Sequence, residues 1–224
     1  MPLFDPGAQA KVTAAVAEAE AQTSGEIVTV LADRSDGYTD VALLWSVAVS
    51  FTAMALVTAF PAFYTGLVDR LLGLWGHAWT AGELLTLVTG IGLAKFLGMW
   101  ALQLWQPLKF ALIPGAVKSA RVRDAAIRHF RVGAERRTHG RTGVLLYLSM
   151  REHRAEIVAD EAIAGKVDAE VWGEAMADML ADIRRGDIAG GLAAGVRDVG
   201  KVLAEHFPRG SDDTNELPDR LILV

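Results

Sequence analysis

The sequence has no cysteine and very few charges in its central part. Without cysteine, disulfide frameworks, thiolate zinc sites and cysteine nucleophiles are all excluded. No basic stretch followed by an apolar core opens the chain, so the sequence predicts no secretory signal and a first segment that stays in the cytoplasm. Between residues 41 and 108 the charged side chains are Asp69, Arg70, Glu83 and Lys95.

This sparsely charged region contains two long apolar runs. Residues 41–62 carry no charge, and about 20 such helical residues cross the hydrocarbon core of a bilayer. The second run, 83–105, has Lys95 near its middle; a lysine there costs roughly 2.5–3.5 kcal/mol, which the apolar neighbours offset. Lys95 is either a snorkelling or helix-pairing residue or a functional intramembrane charge. The sequence predicts a two-helix transmembrane hairpin over 39–108.

The charges beside the two runs predict the orientation of the hairpin. The loop between the runs offers only Arg70, whereas a basic cluster directly follows the second run. Since basic residues favour the cytoplasmic side, we expect a multi-pass inner-membrane protein with both termini in the cytoplasm and the lipid bilayer as its partner. Because the cluster adjoins a membrane span, topology and anionic lipid explain it better than nucleic acid, which is not an expected partner. The cluster comprises Lys109, Lys118, Arg121, Arg123, Arg128 and Arg131.

The flanking stretches predict one soluble α/β domain that is split by the hairpin. The apolar run 26–32 indicates an interior strand, and the runs 143–149 and about 153–159, joined by three residues, indicate an antiparallel β-hairpin. Two strands alone are marginally stable, so the first strand belongs to the same sheet. The domain therefore comprises residues 1–38 and 109–210, followed by a polar tail at 211–224 with an apolar end, LILV. Helices are predicted over 6–24, 119–137, 168–185 and about 187–207.

Three segments of the soluble part resemble the TPM domain family, also called the TPM phosphatase family. They are SGEIVTVLADRSD, GRTGVLLYLSMREHRAEIVADEAI and RRGDIAGGLAAGVRDVGKVLAEHF. The resemblance covers 23–36 and about 118–207 and identifies the chain as a membrane-anchored bacterial member with the hairpin inserted in the domain. It implies a small α/β/α sandwich. It also implies one of three roles: acid phosphatase, calcium-binding module or factor that maintains membrane protein complexes.

Acidic residues after the predicted strands are candidate cation ligands. Asp33 and Asp36 follow the first strand in DRSDGYTD, and Asp160 follows the third. Ligands often bind at the ends of strands in α/β sheets, so these carboxylates could hold Ca²⁺ or Mg²⁺ through oxygen atoms. The alternative is that they close loops, meet Arg34 or face solvent.

The sequence offers no catalytic constellation. Arg151 and Arg154 in the β-hairpin either contact an anion or pair with Glu152 and Glu156, and no histidine pair or nucleophile elbow accompanies them. We therefore expect a membrane-anchored interaction module for quality control or assembly at the inner membrane, with a membrane-protein partner or a homo-oligomer. The alternative is a metal-assisted acid phosphatase that uses Asp33, Asp36 and Asp160. Transport is disfavoured because two spans cannot line a pathway unless they oligomerise.

Overall fold

The computed structural model describes residues 5–74, 77–133, 142–210, 217 and 219–224, and the chain divides into two compact units. The α/β unit consists of Met1–Asp36 and Gly115–Val224, and the hairpin unit is Gly37–Pro114. In chain order the elements are α1 (Pro6–Glu20), β1 (Glu26–Ala32), α2 (Thr39–Ala59), α3 (Pro61–Leu72), α4 (Ala81–Leu102), α5 (Gln106–Leu112), α6 (Gly115–Gly133), β2 (Gly143–Ser149), β3 (Arg154–Ala159), α7 (Glu161–Ala164), α8 (Ala169–Arg184), α9 (Ile188–His206) and β4 (Ile222–Leu223).

A four-stranded mixed sheet in the order β3-β2-β1-β4 forms the centre of the α/β unit. β1 pairs in parallel with β2 and with β4, and β2 pairs antiparallel with β3. The three expected strands are present, and β1 and β2 have the predicted bounds. β4 was not predicted: its residues belong to the LILV segment that we assigned to the tail, and Ile222 lies opposite Val30 in β1.

The sheet carries helices on both faces because β1 and β2 are buried along their whole length. Successive side chains of a strand point to opposite faces. Ile27 and Leu146 accordingly belong to one hydrophobic cluster, which includes residues of α1, α8 and α9. Val28 and Leu145 belong to a second cluster with Val122 and other residues of α6. The expected α/β/α sandwich is confirmed.

The glycine-rich stretch 186–195 allows α8 and α9 to pack closely. Gly186, at φ 91°, lies between the two helices, and Asp187 caps α9 by accepting a hydrogen bond from the Gly190 amide at 2.7 Å. A Cβ atom on Gly191 would lie 2.6 Å from the Met179 carbonyl oxygen of α8. These glycines therefore serve helix packing within the domain.

In the hairpin unit, α2 and α4 pack against each other. Ser50 Oγ donates to the Gly92 carbonyl oxygen at 2.8 Å, and the Gln103 side-chain amide donates to the Ala42 carbonyl oxygen at 3.0 Å. A Cβ atom on Gly92 would lie 2.7 Å from Met54 Sδ, so a larger residue there would require the Met54 side chain to move. α2 ends at Ala59, earlier than the predicted residue 62, because Pro61 begins α3.

Both of these helices are long and apolar enough to cross a membrane. Their 18-residue windows are 22% buried in α2 and 6% buried in α4. A core helix of a soluble protein would be mostly buried, so their apolar side chains face outward to an unusual degree. Among the described residues, most exposed large apolar side chains lie between Leu43 and Trp105.

Candidate functional site

The carboxyl ends of β1 and β2 lie at one edge of the sheet because the two strands are parallel and in register, with Ala32 opposite Ser149. The loop after β1 and the turn after β2 therefore meet. Two backbone hydrogen bonds join them: the Met150 amide donates to the Ala32 carbonyl oxygen and the Arg151 amide to the Asp33 carbonyl oxygen, each at 3.0 Å. Polar side chains from both segments are brought together here.

Four of these side chains form a connected cluster, which we call the hydroxyl cluster: Ser35, Tyr147, Ser149 and Glu152. Ser35 Oγ lies 3.1 Å from Tyr147 Oη and donates to Ser149 Oγ at 3.0 Å, and Ser149 Oγ donates to a carboxylate oxygen of Glu152. The other Glu152 oxygen accepts from the Ser35 amide at 2.9 Å. A buried carboxylate is stable only when it accepts hydrogen bonds, and the bonds from Ser35 and Ser149 meet this need of Glu152. The cluster thereby fixes the loop after β1.

Burial shifts the pKa values of two rings, Tyr147 within the cluster and His129 beside it. It raises the pKa of Tyr147; the Glu152 charge acts in the same direction, and the Ser35 hydrogen bond and Arg128 oppose it. His129 of α6 stacks on the Tyr147 ring with centroids 5.6 Å apart. Burial, and then the Arg128 charge, lower the pKa of His129. Both rings are therefore neutral near neutral pH, and Tyr147 keeps its hydroxyl proton for hydrogen bonding.

The predicted cation ligands Asp33 and Asp36 lie at this edge, and each forms an ion pair with an arginine. Arg151 Nε lies 2.9 Å from Asp33 Oδ2, and Arg121 Nε lies 3.1 Å from Asp36 Oδ2. Arg151, for which the sequence left an anion or Glu152 as partner, thus pairs with the carboxylate of Asp33. Such partly exposed pairs contribute little stability, about 0–1 kcal/mol each, but they compensate the carboxylate charge that a cation would need.

Asp160 does not join them, which corrects the predicted three-carboxylate site. β3 runs antiparallel to β2, so its end pairs with the start of β2, with Ala159 opposite Val144. There Asp160 is buried and accepts a hydrogen bond from the Gly143 amide at 3.0 Å. The carboxyl end of β3 lies at the edge opposite Asp33. Within the described ranges, no three His, Cys, Asp or Glu side chains are grouped so that they could hold a metal ion.

The two remaining predicted residues, Arg154 and Lys95, do not belong to the hydroxyl cluster. Arg154, at the start of β3, is exposed and donates to the His153 carbonyl oxygen at 3.1 Å and to Ser119 Oγ at 3.4 Å. Lys95 is exposed on α4 in the hairpin unit. Sequence reasoning missed Ser35, Tyr147 and Ser149. The signal in the sequence was the presence of hydroxyl groups in the otherwise apolar strand β2 and in the loop after β1.

The arrangement at this edge can fix the loop after β1 and position the charges of two ion pairs. Tyr147, Ser149 and Glu152 are each at most 2% exposed, and only Ser35 of the cluster is partly exposed. The partly exposed Asp33–Arg151 and Asp36–Arg121 pairs contribute charges of both signs to the surface at this edge. This surface suits contact with a polar partner.

Comparison with known proteins identifies the domain. The TPM domain family model matches residues 116–202. No curated protein matches the chain. The NMR structure of the BA42 protein from the psychrophilic bacterium Bizionia argentinensis is similar, with a TM-score of 0.58 and 18% identity over 99% of this chain and 96% of that one. At that identity the similarity supports the fold alone. The resemblance noted in the sequence is confirmed: the chain contains a TPM domain, matched over residues 116–202 of its α/β unit.

Proposed function

We propose that the protein is a membrane-anchored TPM domain that acts as an interaction module in the assembly or quality control of membrane proteins at the inner membrane. The observation that carries the proposal is the outward-facing apolar surface of α2 and α4, the two helices long enough to cross a bilayer. Leu44 is 68% exposed and Leu97 is 55% exposed. Such surface is stable in lipid or against other membrane helices.

The charge distribution supports a cytoplasmic position for the TPM domain. Lys109 and Lys118 follow α4 closely, and Arg121, Arg123 and Arg128 lie on α6. The connection between α2 and α4 carries Arg70 as its basic residue. The basic-residue rule therefore favours a cytoplasmic location for both ends of the hairpin.

The pairing at the carboxyl edge favours an interaction role over hydrolysis. Asp33 and Asp36 are engaged by arginines, and Asp160 lies at the opposite edge. A metal-assisted phosphatase needs carboxylates that converge on one cation. The same ion pairs suit a polar contact surface, which keeps the domain soluble beside the bilayer.

Site-specific photo-crosslinking in living cells tests this function. A benzophenone amino acid is placed at Leu44 or Leu97 in the hairpin, or at the exposed Glu170 of α8 as a reference for the soluble face. We expect a discrete adduct with one membrane protein from a hairpin position and its recovery in stoichiometric amounts from mild detergent. Adducts with lipid alone would contradict the proposal, as would purified chain that hydrolyses phosphoesters and loses this activity in Asp33→Asn.

A further inference from the structure

An open groove of about 700 Å³ runs beside the contact between α2 and α4. We call it the Lys95 groove; it is lined by Val49, Lys95, Gly98, Met99, Leu102 and Trp105, among others. Its lining is apolar apart from the lysine. Lys95 therefore lies beside a surface that suits hydrocarbon or another helix.

Lys95 lies so far inside α4 that the aqueous interface cannot fully solvate its charge. The residue precedes the last residue of the helix, Leu102, by about two turns. A lysine can extend its ammonium group toward the interface, but it keeps its stem and part of its charge at membrane depth. Lysines at such depth usually face a bundle interior and pair with another ionisable side chain or with backbone carbonyls. Within the described ranges no ion pair is formed by Lys95.

The groove has room for the backbone of another helix. A Cβ atom on Gly98 would meet no atom within 4 Å, whereas one on Gly92 would collide with Met54 at the contact with α2. Gly98 thus leaves open space, and Ala94 and Ala101 also line the groove. Small side chains allow membrane helices to approach closely.

The position of the acidic residues indicates which occupant fits. In α2 and α4 the acidic residues are Asp40 and Glu83, and both lie in the first turn of their helix. A second copy of this chain would therefore place no carboxylate of these helices at the depth of Lys95. Lipid phosphates lie at the bilayer surface, outside this depth. A carboxylate at the depth of Lys95 must come from a different membrane helix.

We propose that the Lys95 groove receives a transmembrane helix of a partner protein, and that an Asp or Glu within that helix pairs with Lys95. This inference rests on the proposed function and specifies the chemistry of the partner. The carboxylate supplies the specificity, and Gly98 admits the backbone of the incoming helix.

Fluorescence energy transfer in vesicles tests the proposal with a defined probe. The full chain contains no cysteine, so Arg70→Cys carries a single donor dye. It is reconstituted into phosphatidylcholine vesicles with an acceptor-labelled polyleucine transmembrane peptide that carries Asp, Asn or Leu at the depth of Lys95, at a peptide density where the peptide is monomeric. We expect the Asp peptide to associate about tenfold more tightly than the Leu peptide.

Two variants and a matched control separate the charge from the shape of the groove. Lys95→Leu should abolish the preference for the Asp peptide, and Gly98→Leu should weaken binding about tenfold because the new side chain fills the groove. Gly90→Leu introduces the same side chain into the same helix, at another position with open space around it. It should bind the Asp peptide as the parent chain does.

Three results would overturn the proposal. The first is equal association of the Asp and Leu peptides, or a preference that persists in Lys95→Leu. The second is displacement of the Asp peptide by phosphatidylglycerol in the vesicles, which would assign the groove to a lipid phosphate. The third is strong transfer between donor- and acceptor-labelled copies of this chain that Gly98→Leu removes. If these results occur while cross-linking from Leu44 still yields a membrane partner, the proposed function stands and the partner binds elsewhere.

Discussion

Buried carboxyl groups occur at both ends of the parallel strands. Glu152 lies at the carboxyl ends, and Glu20 lies near the start of β1. Its side chain is 8% exposed, and Oε1 accepts a hydrogen bond from the Ile27 amide at 2.7 Å. Burial raises the pKa of Glu20 to about 8; the Ile27 hydrogen bond opposes the shift, and the charges of Glu26 and Asp219 add to it. Asp219 also shares a hydrogen bond with Glu20. The folded chain therefore holds a proton here at neutral pH.

Replacing Glu20 with glutamine should flatten the dependence of stability on pH. In the folded chain Glu20 has a pKa of about 8, against an ordinary value of 4.5. The unfolded chain releases this proton near pH 4.5 and the folded chain only near pH 8, so the free energy of unfolding falls as pH rises between these values. Glu20→Gln resembles the protonated form, and we expect it to remove this fall and to exceed the wild-type chain in stability above pH 8.

Denaturant unfolding in detergent from pH 5 to 9 measures this effect. Glu18 lies on the same helix and is exposed, so Glu18→Gln is the matched control and should retain the wild-type profile. Parallel profiles for Glu20→Gln and the wild-type chain would show that Glu20 is ionised in the folded protein.

At the carboxyl edge, removal of Glu152 should be strongly destabilising. Glu152→Ala leaves the Ser35 amide and the Ser149 hydroxyl without their acceptor. Each buried unsatisfied group costs about 1–3 kcal/mol, so we expect a loss of about 3 kcal/mol in the free energy of unfolding. Glu18→Ala, an exposed helical substitution, should stay within about 0.5 kcal/mol. A loss for Glu152→Ala no larger than that of the control would mean that the hydroxyl cluster does not hold the loop.

At the scale of elements, the contact between α8 and α9 depends on a missing side chain. A Cβ atom on Gly191 would lie 2.6 Å from the Met179 carbonyl oxygen and 2.7 Å from an Ile183 side-chain carbon. Backbone atoms cannot yield as a flexible side chain can, so Gly191→Ala should force the helices apart and cost about 1–3 kcal/mol.

A glycine-to-alanine substitution elsewhere in this helix pair should raise the stability of the domain instead of lowering it. A Cβ atom on Gly173 in α8 meets nothing within 4 Å, and Gly173→Ala should therefore stabilise the domain by about 0.5–1 kcal/mol through the helix propensity of alanine. Thermal unfolding of the two variants measures both effects. Equal melting temperatures would show that the contact at Gly191 does not limit the packing.

The elements that sequence predicted well are those with a strong local pattern. β1 and β2 are largely apolar, and their predicted bounds agree with the structure. β4 has only two residues, and its identity depends on pairing with β1, which is a nonlocal contact that no local pattern encodes. Part of the helix predicted at 119–137 lies outside the described residues.

The position of a candidate site residue was predictable only where the direction of the preceding strand in the sheet could be inferred from the sequence. Asp33 was assigned to the correct edge because it follows a strand. Asp160 was predicted at the same edge but lies at the opposite one, because the short connection between β2 and β3 reverses the chain direction. The partners of Asp33 and Asp36 depend on Arg151 and Arg121, whose side chains approach from different elements, and sequence spacing carries no information about such approaches.

At the scale of the whole molecule, the inserted hairpin predicts a definite topology. We expect the connection between α2 and α4 to lie outside the inner membrane and the C-terminal region to lie in the cytoplasm, because the basic residues cluster after α4. Exposed Arg70 and Arg220 mark the two regions. In spheroplasts, a membrane-impermeant maleimide should label Arg70→Cys at once and Arg220→Cys only after lysis.

The wild-type chain provides the blank for this measurement because it contains no cysteine. Labelling of both variants from the same side would contradict the two-span arrangement. Protection of both until lysis would show that the hairpin lies wholly on the cytoplasmic side.

The separation of β1 from β2 in the sequence delays the pairing of these two strands during synthesis. β1 is made first, and the whole hairpin unit and α6 are made before β2 follows. Both apolar helices therefore leave the ribosome while β1 still lacks β2 as its neighbour in the sheet. A chain whose helices fail to insert would carry an unpaired apolar strand beside a long apolar surface, which is the kind of species that proteases and chaperones recognise. Pairing of β1 with β2 thus follows the synthesis of both apolar helices.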